Sequence, residues 1–236
     1  MEVRCWLLTE AAKDYKYLLN RGYPQRAILN IVVSRYGLTA AERNALLRCV
    51  HRTSDVLLVI ARLVRPTEVV GAHVVIDGYN TLLTILTALE GGPLFLCDDC
   101  VIRDVRSSYT KRISMKSLVN SLNVLASALT ILRPVSVTIV LDKNVSHSAE
   151  HAVMIERALQ ARAINARVEL RRKADTGVLS HSADIVCSSD YLIVTRARKV
   201  FDLAGYAVTK VVGAEIATCL ASGIVDKGFC GGPAGI

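Results

Sequence analysis

The feature that most constrains the fold is a series of short aliphatic strands, each followed by a helix-patterned segment, beginning at His73. The segments His73–Ile76, Val135–Leu141, Arg167–Leu170, Ala183–Ser188 and Ala207–Val212 read as strands. Helix patterns lie between them at Thr81–Leu89, Ser114–Leu132 and Ser148–Ala163, with a short helix before Ala183 and another running through Leu203. Strands that are aliphatic throughout, without polar alternation, are buried on both faces, as in a parallel sheet covered by helices. Strand–helix alternation then implies right-handed crossovers. The expected fold is α/β: a parallel-sheet, three-layer α/β/α domain preceded by a small all-helical domain. Composition agrees, since hydrophobic residues make up 52% of the chain and aromatics only 5%, leaving an aliphatic core.

The first 66 residues carry helix patterns only. Thr9 is placed to cap a first helix, and Pro24 to open a second that stops at Gly37. Thr39 and Glu42 form a capping box for a third. Arg65-Pro66-Thr67 reads as a linker, and Leu94–Thr110 as a polar, irregular insertion. These divisions give a helical domain over 1–66, an α/β domain over 72–222 and a flexible glycine-rich tail over 223–236. The N-terminus lacks the pattern of a secretory signal. The most apolar stretch, Leu118–Leu141, is broken by Asn120, Asn123, Arg133 and Pro134, so no membrane span and a cytoplasmic location are expected. The seven scattered cysteines are expected to be mostly reduced, including Cys97 and Cys100, for which a local disulfide and a zinc knuckle are the alternatives.

Aspartates fall at the ends of successive strands. Asp77 follows the first, Asp142 the second, Asp175 lies in the loop after the third, and Asp190 follows Ala183–Ser188. In a parallel sheet the carboxyl ends of all strands share one edge, where ligands bind. Residues far apart in sequence therefore converge there. Clustered carboxylates repel one another unless a cation lies between them, and hard oxygen donors suit Mg²⁺ or Mn²⁺. For any one of them, a helix cap or turn is the competing explanation. Asp184 competes with Asp190 as the last acid if the strand is instead Tyr191–Thr195.

VVIDGYN (Val74 to Asn80) resembles the opening strand of the NYN branch of the PIN-like metal-dependent nucleases. SVTIVLDKN (Ser136 to Asn144), KADTG and CSSDY resemble that family's later acidic positions, carried here by Asp142, Asp175 and Asp190. The similarity spans residues 72 to about 212. With the N-terminal segment included, the whole chain resembles an archaeal family of uncharacterised proteins that joins a short helical domain to a PIN-like domain. The resemblance implies an endoribonuclease in which Asp77, Asp142, Asp175 and Asp190 hold Mg²⁺ or Mn²⁺. Asn80 and Ser189 would orient water or a phosphate oxygen. It also adds Asp99, Arg103 and Asp104 in the insertion DDCVIRD as candidates, and implies pairing into a homodimer. Two departures stand out: Tyr191-Leu192 occupies the place of a further acid, and the helix Ser114–Leu132 offers no glutamate. They favour the alternative, a non-catalytic RNA-binding or assembly protein that keeps the fold.

Charge points to a polyanionic partner. The formal net charge is +8, and Lys143, Arg171, Arg172, Lys173 and Arg196 are placed to meet phosphates near the aspartates. Arg21, Arg26, Arg35, Arg43, Arg48 and Arg52 suggest an RNA-docking surface on the helical domain, an ordinary solvated face being the alternative. Tyr15, Tyr17, Tyr23 and Tyr36 are offered either to unpaired bases or to the core. His147-Ser148-Ala149-Glu150-His151 matches a zinc-peptidase signature, but lacks the third downstream ligand such a site requires.

Overall fold

The computed structural model describes residues 4–106 and 114–221. The helices are α1 (Cys5–Asn20), α2 (Gln25–Tyr36), α3 (Ala40–Cys49), α4 (Thr53–Ile60), α5 (Pro66–Val69), α6 (Gly78–Leu89), α7 (Met115–Leu132), α8 (Ser148–Gln160), α9 (Ala174–Leu179), α10 (Tyr191–Val194) and α11 (Leu203–Ala207). A π-helical turn, Val208–Val212, continues α11. The strands are β1 (His73–Asp77), β2 (Leu94–Leu96), β3 (Ile102–Asp104), β4 (Ser136–Asp142), β5 (Ala166–Arg171), β6 (Ile185–Cys187) and β7 (Val200–Phe201). They divide into two compact units, one formed by 1–61, 93–109 and 215–236, the other by 62–92 and 110–214.

The second unit is the expected α/β domain. Its five strands are all parallel, in the order β5-β4-β1-β6-β7. From β1 the chain passes to β4 and β5 on one side, then returns to β6 and β7 on the other, which makes β1/β6 the switch point of the sheet. The helix α7 is long and apolar enough to cross a membrane by length and composition. Its Leu118, Leu122, Leu125, Leu129 and Leu132 nevertheless recur at helical spacing and are buried within the unit. Its N-terminus is capped by Ser114, whose hydroxyl accepts from the Ser117 N–H.

The first unit is helical, with one antiparallel hairpin, β2–β3. Thr39 and Glu42 form the expected capping box, and Gly37 ends α2 in the left-handed region at φ 55°. Tyr15, Leu19, Ile28, Leu46 and Val50 share a core with Phe95 and Leu220.

Several expectations are corrected. The described part of the insertion, 94–106, holds an ordered hairpin whose residues are largely buried, and it belongs with the helical unit, as does Glu215–Ala221. The boundary expected at 66 falls at 61/62, whereas the one expected at 222 falls at 214/215, and the helical unit is discontinuous. The segment Arg65-Pro66-Thr67 runs into a short helix. Helix α1 starts at Cys5, and Thr9 lies inside it, with its hydroxyl donating to the Cys5 carbonyl. The last strand is Val200–Phe201, while 207–212 is helical, because Asp202 caps α11 by accepting from the Gly205 N–H. Cys97 is a free buried thiol, whereas Cys100 is disulfide-bonded. The tail 223–236 lies outside the described residues.

Candidate functional site

Asp77 is the last residue of β1 and is 6% exposed. It stands at the N-terminus of α6, yet its side chain makes no cap hydrogen bond. Instead its Oδ2 accepts from Asn80 Nδ2 at 3.1 Å and from Ser188 Oγ at 2.9 Å. The Ser188 hydroxyl also accepts from the Asp190 N–H at 3.0 Å, and Ser189 Oγ donates to Asn80 Oδ1 at 3.4 Å. The loops after β1 and β6 are therefore laced together at the switch point. Burial pushes the Asp77 carboxyl up to about 6, with the charges of Asp190 and Asp175 adding to the rise and the bonds from Asn80 and Ser188 opposing it.

Asp142 ends β4, and its Oδ1 accepts from both the N–H and Nδ2 of Asn144 at 2.8 Å. Asn144 Nδ2 also donates to the Arg172 carbonyl at 3.0 Å, tying the loop after β4 to the loop after β5. Asp175 lies in the first turn of α9, just past β5, and is exposed. Partial burial and then the charge of Asp190 raise its carboxyl, as does Asp142, while Arg196 opposes. Asp190 caps α10, its Oδ1 accepting from the N–H groups of Leu192 and Ile193 at 2.8 and 3.3 Å.

The carboxylates of the sequence reading thus stand at the carboxyl ends of β1, β4, β5 and β6. They form an electrostatic chain, in which Asp77 feels Asp190 and Asp175, and Asp175 feels Asp190 and Asp142. The cap explanation accounts for one oxygen of Asp190, and a turn accounts for one of Asp142. Neither accounts for Asp77, a buried carboxylate held by neutral donors only. No three of the four bring their oxygens within 4.8 Å of one another. Asp184 is excluded as the last acid, since it precedes β6 and its Oδ2 accepts from the His73 N–H at the opposite end of the sheet.

Lys143, Arg172, Lys173 and Arg196 are exposed on these loops. Arg171 is committed to Glu169, with Nη2 and Oε2 2.7 Å apart. Besides Asn144, two side chains beside the site were not singled out by the sequence. Ser188 is one, although the CSSD segment that carries it was flagged. Tyr79 is the other: it is buried, its hydroxyl 3.0 Å from His151 Nδ1. Burial and the Asp142 charge push that phenol up to about 12. His151 is therefore packed in the core, and His147 is exposed beside Glu150, so the zinc-peptidase pattern forms no joint site.

The insertion residues belong to the first unit, where a different arrangement holds them. His51, Asp98 and Asp99 are the described residues whose ligand atoms do meet within 4.8 Å. Each carboxylate there already has a cationic or histidine partner. Asp98 Oδ2 is 2.8 Å from Lys16 Nζ and Asp98 Oδ1 is 2.9 Å from His51 Nδ1. Asp99 takes a two-pronged ion pair from Arg103 at 2.7 and 2.6 Å, and Asp104 is 3.1 Å from Arg48. Burial would raise the Asp99 carboxyl, but the Arg103 charge and bonds, His51 and the Val101 N–H together hold it below its ordinary value. A cation would have to displace Lys16 and Arg103, so the cluster reads as a buried ion-pair network. Arg103 is thus paired with Asp99 and Asp104 with Arg48, while Asp99 stays within the His51–Asp98–Asp99 cluster, whose ligand atoms lie close together.

Residues 66–206 match a family described as a domain of unknown function, DUF5616. The chain belongs to the DUF5616 family. Residues 7–61 match a second description, the protein of unknown function DUF434. The DUF5616 match contains all four sheet-edge aspartates, and the DUF434 match ends at Ala61, where the first segment of the helical unit ends. An uncharacterised protein of Methanocaldococcus jannaschii is 29% identical over 205 residues, covering 85% of this chain and 96% of that one. No solved structure matches.

Proposed function

We propose that this DUF5616 protein is a metal-dependent nuclease of the PIN-like kind that hydrolyses RNA phosphodiester bonds in the cytoplasm. The observation that carries the reading is Asp77: a carboxylate buried at the switch point of a parallel sheet, raised to about 6, and in electrostatic contact with two further carboxylates. Keeping such a group charged at neutral pH is unfavourable in the metal-free chain. A divalent cation shared with Asp142, Asp175 and Asp190 would remove that cost, and oxygen donors of this type fit Mg²⁺ or Mn²⁺. When bound, the ion would supply Lewis-acid polarisation of a phosphoryl oxygen and lower the pKa of a water.

The chain's own groups have separate tasks. Asn80 and Ser188 fix the Asp77 carboxylate, and Ser189 steadies the Asn80 amide. Lys143, Arg172, Lys173 and Arg196 meet backbone phosphates, which sets affinity without reading sequence. Calorimetric titration of Mn²⁺ into the wild type and into Asp77→Asn/Asp190→Asn tests the site. Binding in the wild type that is lost in the double variant is expected, together with at least about a hundredfold slower cleavage of labelled RNA by Asp77→Asn. Absence of Mn²⁺ binding in both proteins would remove the enzyme. The second reading, a non-catalytic RNA-binding descendant, would then take its place, favoured by Tyr191-Leu192 standing where the PIN/NYN resemblance implies a further acid.

A further inference from the structure

The tyrosines of the helical unit differ in exposure, with Tyr36 partly buried. Tyr15 is fully buried, but Tyr17 and Tyr23 are 57% and 52% exposed at the turn joining α1 to α2. The Arg21 guanidinium lies over the Tyr17 ring, 5.1 Å from its centroid. Asn20 Nδ2 donates to Thr53 Oγ1 and the Thr53 N–H donates back to Asn20 Oδ1, both at 2.9 Å. This reciprocal pair holds the start of α4 against the end of α1, so Arg52 joins the same turn.

Arg21, Arg26 and Arg52 are exposed and take part in no ion pair among the described residues. Acids on adjacent turns are engaged otherwise. Glu10 pairs with Lys13, Asp14 accepts from the Tyr36 hydroxyl, and Asp55 accepts from Ser54 Oγ. The turn therefore offers two exposed rings, one of them with a guanidinium stacked on one face, and uncompensated positive charge.

We infer that the α1–α2 turn, through Tyr17, Tyr23, Arg21 and Arg52, is a docking surface for single-stranded nucleic acid. Unpaired bases stack on tyrosine faces and guanidinium planes, while arginines meet the intervening phosphates. A duplex keeps its bases stacked internally and offers these rings nothing, so only the arginines would act on it. The inference deepens the nucleic-acid reading above but concerns the other unit and needs no metal. Its failure and the failure of the nuclease reading are separately visible.

The test is fluorescence anisotropy of the full chain in EDTA, with labelled twelve-nucleotide oligouridine and a twelve-base-pair RNA duplex. Tyr17→Ala/Tyr23→Ala should weaken oligouridine binding tenfold or more and leave duplex binding unchanged. Tyr17→Leu/Tyr23→Leu, which keeps apolar bulk, should lose affinity equally, and unchanged thermal melts would show that both variants fold. Arg21→Gln/Arg52→Gln should weaken both ligands and flatten the oligouridine salt slope by about 1.4. Wild-type affinity in the tyrosine variants, or equal losses on single strand and duplex, would overturn the inference. So would failure of the wild type to bind oligouridine.

Discussion

Asp77 carries a cost that can be measured without any substrate. Its carboxyl is raised from 3.8 to about 6 in the folded chain, so the folded state binds a proton that the unfolded state has released. The stabilising contribution is full below about 3.8 and is lost as pH rises through about 6. At neutral pH the charge then costs up to about 3 kcal/mol, at about 1.4 kcal/mol per pH unit. In EDTA, Asp77→Asn is expected to melt several degrees higher than wild type at pH 7.5 and to lose the wild-type gain between pH 7.5 and 5. An identical pH profile in the two proteins would contradict the assignment. Arg103 makes the opposite case, because removing it strands Asp99 in the core. Arg103→Ala should destabilise by about 3–5 kcal/mol in urea titration, without changing Mn²⁺ affinity. At this scale the sequence was legible where chemistry and topology agreed: Asp77, Asp142, Asp175 and Asp190 all reach the strand ends. The segment Asp98–Asp104 was less legible, because a string of charges looks solvated until its partners, Lys16 in α1, Arg48 in α3 and His51 in the loop after α3, are brought in.

Among the elements, the junction of β1 and α6 is held by close packing. A Cβ on Gly78 would meet Leu141 Cδ2 at 2.5 Å and Ile139 Cγ2 at 2.7 Å, on the neighbouring strand β4. The glycine of the DGYN segment thus lets α6 begin directly against the sheet. Gly78→Ala is expected to destabilise by about 1–3 kcal/mol in chemical denaturation, and to weaken Mn²⁺ binding by displacing Asp77 beside it. Strong helix signals were readable: the Gly37 stop, the Thr39–Glu42 box and the long helix expected over Ser114–Leu132 appear where expected. The end of the sheet was not, because Val208-Thr209-Lys210-Val211-Val212 is rich in β-branched residues and favours a strand by local preference. Capping by Asp202 and burial of Leu203, Tyr206 and Val208 override that preference. The actual last strand, Val200–Phe201, is too short to show any periodicity.

For the whole molecule, the discontinuity of the helical unit matters most. Ala217 pairs with Phe95 across an isolated bridge, and Leu220 is buried in the core with Leu8, Leu46 and Cys49. A chain ending at Ala214 should therefore lose the cooperative melting of the helical unit while still binding Mn²⁺, as read by calorimetry. Loss of both together would mean that the units do not fold separately. A boundary of this kind is invisible to composition, since nothing local marks 93–109 or 215–221 as parts of the same body as the first helices. It also sets an order of events during synthesis. The first helices leave the ribosome early, yet Leu220 belongs to their core, so their apolar faces wait while roughly 160 further residues are added, on the order of ten to thirty seconds at usual elongation rates. The nascent chain thus spends that interval with an unfinished hydrophobic surface, and a chaperone that shields it would act on the helices made first.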